Sequence, residues 1–255
     1  MKLSGRLAAL SDWVPQGARF ADIGTDHALL PVYLAAAGQV AFAVAGDVNK
    51  GPLEAARRQV EAAGLAGVVS VRHGDGLSVL EPGEVDTVCI AGMGGSLMVR
   101  LLGAAGSRLD GVRTLILSPH VAEDQVRAWL AEHRFVLTDE KLLEEDGEIY
   151  TLLKAERFEA GEAARRNEAL YAPSLLGPGC PEVPLALVRE MGPLLLRGSD
   201  GLFRKKWEWE LAKREKIRER LRLSRSDEAT GKGREMDETN RKIREVLACW
   251  PAEKR

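Results

Sequence analysis

The sequence predicts an α/β fold: a mostly parallel, Rossmann-like sheet with an antiparallel edge, followed by a charged helical appendage. Three observations carry this. Apolar runs of strand length alternate with runs of helix length up to about Glu156, the pattern of a sheet covered on both faces. Two of the runs lead into acids at strand tips, Asp22-Ile23-Gly24 and Asp47. From Leu202 the alternation gives way to charge-dense sequence, and Met236, Asn240, Ile243, Leu247 and Trp250 then fall at four and three spacing, a coiled-coil seam.

The elements follow in order. Leu3 to Trp13 reads as a short amphipathic helix, with Leu3, Leu7 and Leu10 on one stripe. After the Pro15-Gln-Gly17 turn comes a strand, Arg19–Ile23, then a helix over 27–37 with Pro31 tolerated in its first turn. A second strand, Val40–Ala45, precedes a helix from about Pro52 to Ala63, closed by Gly64. Strands Val68–Arg72, Val85–Ile90 and Thr114–Leu117 alternate with helices near Ser96–Gly103 and Ala122–His133. Arg134–Leu143 and Glu148–Ala155 form a hairpin around Glu144-Glu-Asp-Gly147. These elements define a domain over 1–157. The remainder, 158–255, reads as a helical domain: a proline- and glycine-rich stretch over 171–193, then two antiparallel helices separated by a loop at about 224–233. Phe203, Trp207, Leu211, Ile217 and Leu221 are the apolar points of the first helix.

Composition excludes several classes. Cys89, Cys180 and Cys249 are odd in number and far apart, so no disulfide framework or zinc spacing follows and a reducing cytoplasm is the expected setting. The histidines form no metal-ligand cluster, so no metal is expected. No signal pattern opens the chain, and Pro31, Gly38 and Gln39 break the apolar stretch Leu29–Gly46, so no membrane span is expected. The net charge of −2 is uneven: residues 1–158 hold 15 basic and 21 acidic side chains (net −6), residues 159–255 hold 21 and 17 (net +4).

An acid one strand beyond a glycine turn is how nucleotide-binding sheets grip a ribose. A dinucleotide fingerprint would place glycines at positions 26 and 28, where this chain has Asp26 and Ala28. A carboxylate there repels pyrophosphate and favours a ligand with ammonium and sulfonium charge, as in S-adenosylmethionine. Gly74-Asp75-Gly76 adds a third acid at a third strand tip, which weighs against ordinary strand-capping turns. Ala91-Gly-Met-Gly-Gly95 allows close backbone approach, with Met93 placed to pack on an adenine or face a methyl acceptor. Ser118-Pro-His120 reads equally as a strand exit or as a substrate loop; His73 and His133 have no expected catalytic part. Between Arg204 and Arg222 stand nine basic and four acidic side chains, either a solvated helix face or a phosphate-contacting one. Trp209 lies off the apolar seam and is the better candidate for an RNA-facing ring.

Leu3-Ser-Gly-Arg-Leu7, Ala21-Asp-Ile-Gly-Thr-Asp-His-Ala-Leu-Leu-Pro31, Asp47-Val-Asn-Lys-Gly-Pro52, Gly74-Asp-Gly-Leu77, Ile90-Ala-Gly-Met-Gly-Gly95 and the Glu144–Tyr150 turn together resemble the bacterial tRNA (adenine-22-N1)-methyltransferases. The resemblance covers about residues 3–155. It implies S-adenosylmethionine as cofactor, S-adenosylhomocysteine as product, and tRNA as partner. It places Asp22, Ile23, Gly24, Thr25 and His27 around the methionine end, Asp47, Val48 and Asn49 at the ribose, and Gly74, Asp75 and Gly76 at the adenine. Ala91, Gly92 and Gly94 would border the cofactor and target base. Asp26, Met93 and His120 are the catalytic candidates: Asp26 to stabilise charge, Met93 and His120 to meet the base. The chain departs from the family in having Leu29 for a common tyrosine and Ser118-Pro119-His120 for Gln-Pro-Asn. A methyltransferase for another RNA position, a small molecule or a protein, and a non-catalytic cofactor-sensing RNA binder, stay open as alternatives. The sequence leaves the oligomeric state open, with a monomer as the simplest arrangement.

Overall fold

A computed structural model describes residues 3–198, 201–223 and 226–250. The chain divides into two compact units, Met1–Arg166 and Asn167–Arg255.

The first unit starts with helix α1 (Gly5–Ser11), capped by the Ser4 hydroxyl, which accepts from the Leu7 N–H. Then come β1 (Ala18–Ile23), α2 (Leu29–Ala36), β2 (Val40–Asp47), α3 (Lys50–Ala62) and β3 (Val69–His73). The second half holds β4 (Thr87–Met93), α4 (Gly95–Ala104), β5 (Thr114–Pro119), α5 (Glu123–Glu132), β6 (Phe135–Glu145) and β7 (Glu148–Arg157). The strands pair in the order β3-β2-β1-β4-β5-β7-β6. β1 to β5 run parallel; β7 lies antiparallel between β5 and β6. The expected mixed sheet is therefore present, with its antiparallel edge supplied by the hairpin. The central parallel strands are buried on both faces, and the all-buried β5 shows why they are continuous apolar runs rather than alternating ones.

Chain order reverses between β1 and β4, so the crevice beyond their C-terminal ends is the switch point where ligands bind in such sheets. β2 extends through Asp47, which puts that acid on the last residue of the strand. One polar contact in the core escaped sequence reasoning. Arg127 of α5 donates to Glu140 of β6 at 2.6 Å, with both side chains fully buried. Separately neither residue differs from a surface charge; only the fold brings them together.

The second unit contains the end of α6 (Ala160–Leu170), α7 (Leu185–Met191), α8 (Gly201–Leu223) and α9 (Asp227–Cys249). The last two are antiparallel: Arg204 bonds the Leu247 carbonyl, Glu215 pairs with Arg244, and Arg218 pairs with Asp237. Phe203, Trp207 and Leu211 are buried, and Trp250 stacks on Phe203 with centroids 4.7 Å apart. Ile217, read as a seam position, is 46% exposed.

Two expectations are corrected here. The loop placed at about 224–233 is helical from Asp227 onward; its positions 224 and 225 lie outside the described residues. The Ser226 hydroxyl caps the helix by accepting from Ala229, and Asp227 and Glu228 favour its first turn, which outweighs the two glycines that suggested a loop. The cysteines are not all separate: Cys180 and Cys249 are joined as a disulfide across 69 residues of sequence, and Cys89 is the buried free thiol. The fold brings the proline- and glycine-rich stretch to the end of α9, a proximity that spacing alone could not reveal.

Candidate cofactor site

A cavity of about 250 Å³ opens at the switch point in the first unit. Asp22 and Asp26 supply its acidic wall, Gly24, Ala91 and Gly92 its backbone wall, and Arg6, Leu29 and His120 other parts of its lining. The local backbone explains this wall. β1 ends in a turn where Gly24 has φ +76°, and His27 and Ala28 follow at φ +56° and +55°. Two successive non-glycine residues in the left-handed region are strained, a state the surrounding structure must hold in place. The Gly24 and Thr25 N–H groups both donate to the Gly46 carbonyl, at 2.8 and 3.0 Å, which ties the turn to β2. On the other side, the β4–β5 register shifts between Ala91 and Met93, leaving Gly92 as a bulge at φ +79° that turns its backbone to the cavity.

Asp22 is the electrostatic centre. Its side chain is almost fully buried, and its Oδ2 accepts from the Thr25 hydroxyl at 2.6 Å. Burial pushes the carboxyl up to about 6; the Thr25 hydrogen bond opposes this, and the nearby Asp26 and Asp47 charges add to it. A cation placed beside Asp22 would reverse the penalty. Cys89 pairs with Asp22 across the β1–β4 register; burial and the Asp22 charge push its thiol well above the usual range, while Arg6 opposes them.

The other expected residues form a second region along the tips of β2 and β3. Asp47 Oδ1 accepts from the Asn49 N–H at 2.6 Å, and the Asp47 carbonyl accepts from Gly74 at 3.1 Å. His73 Nε2 lies 3.0 Å from the Val48 carbonyl, and Val48 itself is 56% exposed. Asp75 is exposed and precedes a single 3-10 turn, Gly76–Val79. These residues line a rim beyond the cavity. Within the expected cofactor set, Ile23 and Thr25 are buried; Thr25 acts through Asp22.

The catalytic candidates separate. Asp26 is exposed and faces His27, whose Nε2 lies 3.6 Å from Asp26 Oδ1. His120 borders the cavity and meets Tyr150 edge-on at 5.7 Å. Met93 instead packs against Gly24: a Cβ at Gly24 would come within 2.8 Å of Met93 Cε. The loops carrying Met93 and His120 are joined, since His120 N–H donates to the Met93 carbonyl at 3.1 Å. Gly94 caps α4, and a Cβ there would lie 3.6 Å from Val121 Cγ2. Among the described residues no three His, Cys, Asp or Glu side chains are placed to hold a metal ion, and no helix is long and apolar enough to cross a membrane.

A methyltransferase domain model matches residues 3–153. A tRNA (adenine(22)-N(1))-methyltransferase of Bacillus subtilis (strain 168) is 40% identical over 221 residues, covering 87% of this chain and 86% of that protein. The chain belongs to this methyltransferase family. Among solved structures, the B. subtilis tRNA methyltransferase TrmK superposes with a TM-score of 0.84 at 37% identity, covering 96% of this chain and 99% of the other. A Streptococcus pneumoniae protein solved with S-adenosyl-L-methionine gives 0.77 at 32% identity, covering 96% and 100%.

Sequence reasoning left out Arg6, which lines the cavity, and Tyr150, which packs against it. The Arg6 guanidinium lies over the Tyr150 ring, 4.8 Å from its centroid, and lines the cavity. One signal was available. Arg6 stands one turn before Leu10, which is wholly buried, so a basic side chain sits on the inward face of a short helix.

Proposed function

We propose that this chain methylates N1 of adenine 22 in tRNA, using S-adenosylmethionine and working as a soluble cytoplasmic enzyme. The observation that carries the reading is a buried carboxylate, Asp22, in a cavity whose glycine turn bears Asp26 where a phosphate binder has glycine. Such a site suits a cationic ligand. Its dimensions and backbone walls fit a methionyl group, and the half-buried Asp47 with the exposed Val48 and Asp75 suit a ribose and adenine on the rim. Family membership supports the choice of substrate.

When bound, S-adenosylmethionine supplies an electrophilic methyl, which the N1 lone pair of adenine can displace from sulfur. N1 carries no proton at neutral pH, so the chain needs no general base. Its residues position the reactants and hold charge. Asp22 keeps the cofactor's cationic end oriented. Asp26, exposed at the cavity mouth, stabilises the positive charge that the methylated base acquires. His120 and Tyr150 offer ring surfaces at the same mouth, supplying aromatic contact that Leu29 cannot. The adenine must be unpaired or flipped to present its Watson–Crick edge. The basic side chains of α8 and the half-exposed Trp209 would hold the tRNA body.

Incubating the protein with methyl-labelled cofactor and bulk tRNA lacking the modification should move label into the RNA. Label appearing on protein or small molecules, with none on tRNA, contradicts the proposal.

A further inference from the structure

The proline- and glycine-rich stretch of the second unit contains a loop whose ends meet. The Val183 N–H donates to the Pro173 carbonyl at 2.9 Å, closing the loop at its base, and smaller turns inside it join Gly177 to Ser174 and Cys180 to Gly177. Val183 is wholly buried, but every residue over 172–182 is half-buried or exposed, Leu175 and Leu176 included. Gly177 and Gly179 hold φ of +92° and +84°, and a Cβ on either would meet nothing within 4 Å. Packing therefore contributes little to holding this loop. What ties it to the helix pair is covalent. Cys180 is joined to Cys249, the last residue of α9, across 69 residues of sequence. The next residue, Trp250, is buried: its indole donates to the Leu196 carbonyl at 3.1 Å, and its ring stacks on Phe203 of α8. The disulfide thus joins a loosely packed segment to a firmly packed one. Both of its cysteines are half-buried and within reach of solvent, whereas Cys89 is wholly buried in the first unit.

In a reducing compartment such as the cytoplasm proposed above, thiol reductants keep cysteines open, and disulfides that do form there are transient. A partly exposed disulfide holding an unpacked loop is of the kind that reductants open most readily. We propose that Cys180–Cys249 is a reversible redox clasp. Oxidised, it fixes the loop over 172–182 against the end of α9; reduced, it releases the loop, while the Trp250 contacts keep α9 in place. The exchange balances with a dithiol as the reductant. One thiolate of the dithiol attacks a cysteine sulfur and breaks the S–S bond, and the other cysteine leaves as a thiolate that takes up a proton. The dithiol's second thiolate then displaces the first cysteine, which is protonated in turn. Two electrons and two protons pass to the protein, and the dithiol becomes a disulfide. The clasp is independent of what the first unit binds.

Comparing the oxidised full chain with the same protein treated with dithiothreitol, without denaturant, tests this. Mass spectrometry after alkylation should find no accessible thiol before treatment and labels on Cys180 and Cys249 after it, with Cys89 unlabelled in both. Limited proteolysis of the reduced protein should cut within 172–182 about 10-fold faster or more, and its melting temperature should fall by about 5–15 °C, the scale of a lost long-range disulfide. Exchange into oxidised glutathione should reverse both changes. Cys180→Ser and Cys249→Ser should each match the reduced protein without any reductant and give no further response to it. A bond that opens only in denaturant is a static brace and overturns the proposal. So does unchanged cleavage of the loop after reduction, or an oxidised protein that pairs these cysteines between two copies.

Discussion

Asp22 carries two opposed demands. Unliganded, it is a buried acid whose carboxyl is raised to about 6 by desolvation, so the folded state holds its proton more tightly than the unfolded chain does. The group therefore weakens the fold as pH rises from about 4 through 6, by about 3 kcal/mol once fully ionised. The cationic ligand proposed for this cavity would need that same ionised form. Asp22→Asn should raise the melting temperature of the unliganded protein at pH 8, leave it nearly unchanged at pH 4, and weaken S-adenosylhomocysteine by about 10-fold or more. Equal melting shifts at the two pH values would show that Asp22 is not the strained group. The opposition was half legible in the sequence: Asp22 at a strand tip was a site candidate, but its burial and its Thr25 partner emerge only from the tertiary turn.

At the scale of elements, Gly95 helps fasten the two walls beyond β4 and β5, alongside the His120 to Met93 hydrogen bond. The Gly95 N–H donates to the Val121 carbonyl at 2.8 Å, and a Cβ on Gly95 would lie 2.3 Å from the Ala122 carbonyl oxygen. No side chain can occupy that space without separating the loop of Met93 from that of His120. Gly95→Ala is expected to destabilise the fold by about 1–3 kcal/mol and to lower kcat at least 10-fold. Steady-state kinetics with a denaturant melt checks both, and unchanged kcat would mean the two loops need not stay in register for catalysis. The sheet itself was readable because runs of strand length alternate with runs of helix length, and β1 and β2 lead into an acid and a glycine at their tips. The start of α9 was not, because Gly231 and Gly233 disfavour a helix locally, whereas the Ser226 cap and the acids after it hold the first turn. Helix α7 was hidden inside a proline-rich stretch, and the Arg127–Glu140 pair joins residues whose separate local patterns are those of exposed charges.

At the scale of the whole molecule, charge divides unevenly along the chain, net −6 over residues 1–158 and net +4 over residues 159–255. Within the second unit, Trp207 is buried and Trp209 is 40% exposed with Lys205 Nζ 5.0 Å from its ring centroid. Trp209→Ala should raise the KM for tRNA by about 5- to 100-fold, the contribution of one stacked base, with S-adenosylhomocysteine affinity unaltered. An unchanged KM would leave that ring out of RNA contact. Composition revealed the charge division and helical spacing the seam; neither could reveal that Cys180 and Cys249 meet, since that depends on where the intervening helices turn. The central claim is methyl transfer to one atom of one nucleotide, and reverse transcription reads it directly. A tRNA transcript incubated with the protein and S-adenosylmethionine should acquire a strong stop at adenine 22, and a transcript with guanine at that position should acquire none. Full-length extension on both transcripts, or a stop at another nucleotide, would contradict the account.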